Sequence, residues 1–177
     1  MDKLQLLTNN QVGHLSVDIF SQVEIIFNKK ADEIKETILP KVAEEVKINK
    51  DAIEHREIRA TKLAKVEKIG KLVLQLQAID SDIKIDLENS NYDVRWDVID
   101  YIQNTETYIK EYNESTERSC TTYAKNKLER DANVHNVWNL LREIHKNIDA
   151  RLALTLVDDY ETVKEAILDT IDVDDHF

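Results

Sequence analysis

From Ile102 onward, residues able to face a neighbouring helix recur at alternating steps of three and four. They are Ile102, Thr105, Ile109, Tyr112, Thr116, Ser119 and Tyr123, then Arg130, Val134, Val137, Leu141, Ile144 and Ile148. That spacing is the seam of a coiled coil, and neither glycine nor proline interrupts it. The pattern predicts one helix over about 93–157, opened by a Ser90 or Asn91 cap with Asp93 in its first turn. Such a helix is several times longer than the average of about twelve residues and cannot cover its own apolar face. It requires a neighbour.

A broader stripe comes earlier in the chain. Val12, Leu15, Ile19, Val23 and Ile26, widened by Phe20 and Phe27, predict a helix over about 9–39 that touches more than one neighbour. Ile34, Ile38, Val42 and Val46 carry the pattern across Pro40. With no amide hydrogen, Pro40 either ends one helix and opens the next, or kinks a continuous one. Leu63, Val66, Ile69, Val73, Leu76 and Ile79 mark the rich end of a further helix over about 41–79. Within it Gly70 costs about 1 kcal/mol relative to Ala, and it leaves room for a close helix crossing.

Turn and cap residues concentrate at Asp80, Ser81, Asp82, Asn89, Ser90 and Asn91, which predicts a hairpin tip over 80–92. Between Asn113 and Thr122 the seam turns polar, a pattern that sets register or marks a local break. Asp158 with Glu161 offers the cap of a last helix over about 159–171. The fold class expected is therefore all-α: an elongated antiparallel helical hairpin, or a coiled-coil-like bundle of three to four long helices, forming a single module over 1–177. Gly13, Gly70 and Pro40 are the whole glycine and proline content, which excludes a loop-rich β fold.

Charge refines this picture. The formal charge of −11 opposes binding to a phosphate backbone. Its distribution is blocked, with residues 28–75 net basic, 76–117 strongly acidic, 118–151 net basic and 152–177 acidic again. Alternating blocks suit helix pairing. A turn centred near Ser90 sets residue 56 opposite about 124 and residue 71 opposite about 109. Arg56, Arg59, Lys62, Lys65, Lys68 and Lys71 then lie alongside Glu106, Glu111, Glu114 and Glu117.

The residues that carry chemistry elsewhere occur here without the required spacing. None of His14, His55, His135, His145 and His176 has an acidic residue three positions before it, so no Glu-x-x-His ligand pair exists and no metal or cofactor is expected. Cys120 is the only cysteine, which rules out an intrachain disulfide, and it sits in a Ser- and Thr-rich stretch without a neighbouring His. The basic run from Arg56 to Lys71 steps by threes and spirals around its helix, so it makes no stripe for nucleic acid. With no apolar run of about 18 residues and no signal-like apolar core at the N-terminus, the chain reads as soluble and intracellular, cytoplasmic or nuclear.

These features point to a non-enzymatic structural or scaffold subunit. Its expected partners are helical proteins or further copies of itself, with no nucleic acid, small-molecule substrate or membrane. The partner-binding residues expected are Leu15, Ile19, Phe20, Val23 and Phe27, with Val134, Trp138, Leu141, Ile144 and Ile148. Rods of this kind resemble, in general shape only, the coiled-coil subunits of kinetochore, spindle and vesicle-tethering complexes. The alternative is a helical membrane-curvature module binding anionic lipid, against which the acidic Asp80, Asp82, Asp86 and Glu88 count.

Overall fold

The computed structural model describes residues 9–82, 87, 93–152 and 160–177, with side chains described for 14–82, 87, 93–146 and 164–177. All regular structure in these residues is helical: α1 (Asn9–Ile48), α2 (Lys50–Ile79), α3 (Arg95–Gln103), α4 (Thr105–Asp131), α5 (Val137–Leu152) and α6 (Tyr160–Leu168), followed by a 3-10 turn at Asp174–His176. Most of the expected hairpin tip, including the Ser90 or Asn91 cap, lies outside the described residues, as does the cap at Asp158. Where one module was expected, the chain forms two compact units. Met1–Pro40 with Lys127–Phe177 make the first, and Lys41–Asn126 the second.

Of the two alternatives at Pro40, the structure adopts the continuous helix, so the first helix reaches Ile48 and not 39. Ile38 and Val42, one turn apart on either side of the proline, are both buried, and their packing holds the helix where one backbone hydrogen bond is missing. The helix stops instead at Asn49. The Asn49 side chain accepts from the Ala52 amide at 3.0 Å and so caps α2, while its own amide donates to the Glu45 carbonyl at 2.7 Å.

The single helix expected over 93–157 is replaced by α3, α4 and α5. The first interruption is Asn104, whose backbone is extended at φ −154°. Its amide donates to the Asp100 carbonyl at 3.2 Å, and its side chain accepts from the Thr107 amide at 3.2 Å, so one residue closes α3 and caps α4. The second interruption is Asn133, held in the left-handed region at φ 55°. Its amide reaches the Arg130 carbonyl at 3.0 Å and the Val134 amide reaches the Glu129 carbonyl at 3.2 Å, the paired closure of a Schellman end. Between these breaks the polar stretch stays helical. The hydroxyls of Thr116, Ser119, Thr121 and Thr122 each donate to the carbonyl four residues back, at 2.8 to 3.0 Å.

In the first unit, Leu15, Ile19, Val23, Phe27 and Ala31 of α1 pack with Val134, Leu140, Ile144, Ile167 and Val173. Phe27 stacks on Phe177 at 4.6 Å between ring centroids. In the second unit Val66 of α2 packs with Val94, Val98 and Tyr101 around α3. Here Gly70 does what its position suggested. The Tyr101 ring, 1% exposed, lies directly on the α2 backbone, and a Cβ at position 70 would fall 2.6 Å from its Cε1.

The antiparallel register is shifted from the one read off the charges. Arg56 pairs with Glu117, not with residues near 124, and Cys120 meets Ala52. The reason is that the turn was centred on capping residues, whereas the pairing is set by the Gly70 and Tyr101 crossing and the apolar contacts around it.

Substitutions at two positions test these points. Gly70→Ala should lower stability by about 1 to 2 kcal/mol despite the higher helix propensity of Ala, because the Tyr101 ring has nowhere to move. A lower denaturant midpoint at unchanged slope would show it. Asn133→Val should cost about 1 to 2 kcal/mol in the same assay, while Asn133→Gly should be neutral or stabilising, since only the former resists a positive φ.

Candidate interaction surface

The residues expected to bind a partner are mostly turned toward one another. Leu15, Ile19, Val23, Phe27, Val134 and Ile144 are buried in the core of the first unit, and Phe20 and Leu141 pack against it half-buried. Phe20 also meets the His145 ring edge-on at 6.0 Å. Trp138 alone of the set stands well out, 74% exposed. The side chain of Ile148 lies outside the described residues. Leu15, Ile19, Val23 and Phe27 of the α1 stripe are thus covered within the chain by neighbours that include α5 and α6, while Ile26 of the same stripe is 51% exposed.

In the second unit the exposed apolar residues include a run along one helix. α2 is apolar on two sides: Val66, Gly70 and Val73 face inward and are buried, while Leu72, Leu76 and Ile79 are 53%, 44% and 81% exposed. At about 100° per residue these last three fall within an arc of roughly 60°, a seam of steps four and three. Half-buried Ile69 borders it at a further step of three. Ile69, Leu76 and Ile79 belong to the apolar run that, with Leu63, Val66 and Val73, marks the rich end of the helix expected over about 41–79. Leu72 was the missed signal, because two apolar stripes on one helix mean two neighbours.

Polar side chains nearby serve to hold α2 against α3 and α4. Lys62 Nζ and Tyr108 Oη both bind the Asp97 carboxylate, at 2.8 and 2.9 Å on different oxygens. Burial, and then donation to Asp97, push the Tyr108 phenol well above its ordinary value, so it acts as a fixed donor. The Arg59 guanidinium lies 3.6 Å over the Tyr112 ring and donates to Thr116 Oγ1 at 3.1 Å and the Tyr112 carbonyl at 3.3 Å. Tyr112 returns a hydrogen bond to the Arg59 carbonyl at 3.1 Å. Cys120, fully buried, points its thiol at the Ala52 carbonyl at 3.3 Å. Every one of these groups is occupied by a structural contact.

No family model, curated protein or solved structure matches this chain. Its function is therefore argued from its own geometry. Among the described residues no group of three or more His, Cys, Asp or Glu side chains is placed to hold a metal ion, and no helix is long and apolar enough to cross a membrane.

The ion pair of Arg56 with Glu117 gives the second unit an acid-sensitive contact. Arg56 donates to both carboxylate oxygens, at 3.0 and 2.9 Å, and this holds the Glu117 carboxyl below its usual 4.5. A depressed carboxyl contributes stability above its unfolded value and loses it as pH falls through the folded one. Both side chains are well exposed, so the contribution is small. Glu117→Gln should melt slightly lower than the parent at neutral pH, and the gap should close below about pH 4 in a pH series of thermal melts.

Proposed function

We propose that this protein is a non-enzymatic scaffold subunit that joins a protein assembly through coiled-coil-type packing, with a helix of another chain lying along the outer face of α2. The observation that carries the reading is the exposed seam of Leu72, Leu76 and Ile79 on a helix whose inner face is already filled by Val98 and Tyr101. Burying aliphatic side chains of this size contributes about 1.5 to 3 kcal/mol each before the cost of association. Isolated apolar residues on a surface are ordinary, but a seam at helical spacing has the geometry of a helix-binding face.

In this reading α2 against α3 and α4 forms an antiparallel hairpin that presents the seam, and the first unit is a self-contained support. The pairs of Lys62 with Asp97, Lys65 with Asp93 and Arg56 with Glu117 keep α2 in place, which leaves its outer face available to a partner. The partner residues then shift from the α1 stripe to Leu72, Leu76 and Ile79.

Lysine cross-linking in an extract of the source cells, followed by sequencing of the joined peptides, tests this. Lys68 borders the seam and is exposed, and it should link to a lysine of another chain. Leu76→Glu should abolish that link while leaving the melting transition within about 0.5 kcal/mol of the parent, as expected for an exposed site. If the variant keeps the same links as the parent, the seam is not a docking face and the reading fails. Loss of anionic-vesicle binding in this variant, without change in protein links, would assign the face to lipid instead.

A further inference from the structure

We infer that the helix covering this face is α2 of a second copy of the chain, running antiparallel, so that the protein is a two-fold symmetric dimer. The inference rests on the scaffold reading above and adds the identity of the occupant. Its ground is that the seam and its charged borders are complementary to themselves when reversed.

Let two α2 helices meet antiparallel with their crossing between Gln75 and Leu76. A residue n then faces a residue near 151 minus n on the other copy. Leu72 faces Ile79, Leu76 lies beside Leu76, and Ile79 faces Leu72. The three seam side chains of each copy therefore meet those of the other, while Ile53, Ile58 and Leu74, also exposed on α2, take no part. At the border, exposed Lys68 comes opposite the turn that follows Ile79 and holds exposed Asp82, while Lys71 is held on its own helix by Glu67. One end of the seam is basic and the other acidic, so reversal brings unlike charges together at both ends.

A parallel pair has the reverse outcome. Lys68 then faces Lys68, and the turn holding Asp82 faces its own copy. Like charges at both ends disfavour that arrangement, and the same two-fold axis that satisfies one end of the antiparallel pair satisfies the other. A seam of about ten residues per chain is at the low end of specific interfaces, so association is expected at about micromolar concentration.

The test uses the full chain. Sedimentation equilibrium of the parent should show a reversible monomer to dimer transition. Leu76→Glu should weaken it by more than about 100-fold, because a charge is then buried against its own symmetry mate. Lys68→Asp alone should weaken it by about fivefold or more, and Lys68→Asp combined with Asp82→Lys should restore it. Orientation is read by mild oxidation: Leu76→Cys should form a disulfide-linked dimer, whereas Leu72→Cys should not, since two copies of residue 72 stand about 10 Å apart along an antiparallel axis. Near-ultraviolet and far-ultraviolet circular dichroism matching the parent confirms that each variant is folded.

Equal linkage of both cysteine variants means a parallel pair and overturns the inference. A parent that stays monomeric while Lys68 still links to a different protein overturns the inference and leaves the scaffold reading in force. A monomeric parent whose links are unchanged by Leu76→Glu overturns both.

Discussion

Three of the breaks between the described helices are closed by asparagine and not by glycine or proline. Glycine and proline are almost absent, and at these three breaks the orphan amides and carbonyls are satisfied by asparagine side chains and asparagine backbones. Asn49 separates α1 from α2 by capping, and it is itself 3% exposed. Asn104 serves both sides of a single-residue break. Asn133 takes the left-handed turn that a glycine commonly takes elsewhere.

That economy explains what could be read from the sequence and what could not. The all-α class was legible because heptad-like steps, high charge and scarce turn residues agree. The continuity of 93–157 was misread because a break of one residue at Asn104, and of five at 132–136, leaves the apolar stripe nearly in phase. Period is blind to such interruptions. The asparagines were visible, but an Asn inside a periodic segment is read as a tolerated surface residue unless its backbone conformation is known. The polar run at 113–122 misled in the opposite direction, since its hydroxyls bond back along the helix and keep it intact.

Six of the ten residues expected to meet a partner lie in the core of the first unit. The broad α1 stripe looked like a partner surface because its width called for several neighbours, and those neighbours turned out to be α5, α6 and the 3-10 turn of the same chain. Sequence separation hid this, as residues around Phe27 meet Val173 and Phe177 across the whole second unit. The α2 seam was hidden for a different reason. Its inner and outer faces are both apolar, and the two stripes merge when the helix is read as a string. Only the crossing of Tyr101 over Gly70 shows which face is taken.

The first unit is assembled from two separated lengths of chain, while the second is one uninterrupted length, Lys41–Asn126. During synthesis the middle of the protein is therefore complete while Leu15, Ile19, Val23 and Phe27 still wait, bare, for Leu140, Ile144 and Ile167 to emerge from the ribosome. An early α1 without its companions exposes the kind of apolar surface that makes incompletely folded chains prone to aggregate. The buried contact that makes the finished molecule tidy thus makes its birth the most hazardous moment of its life.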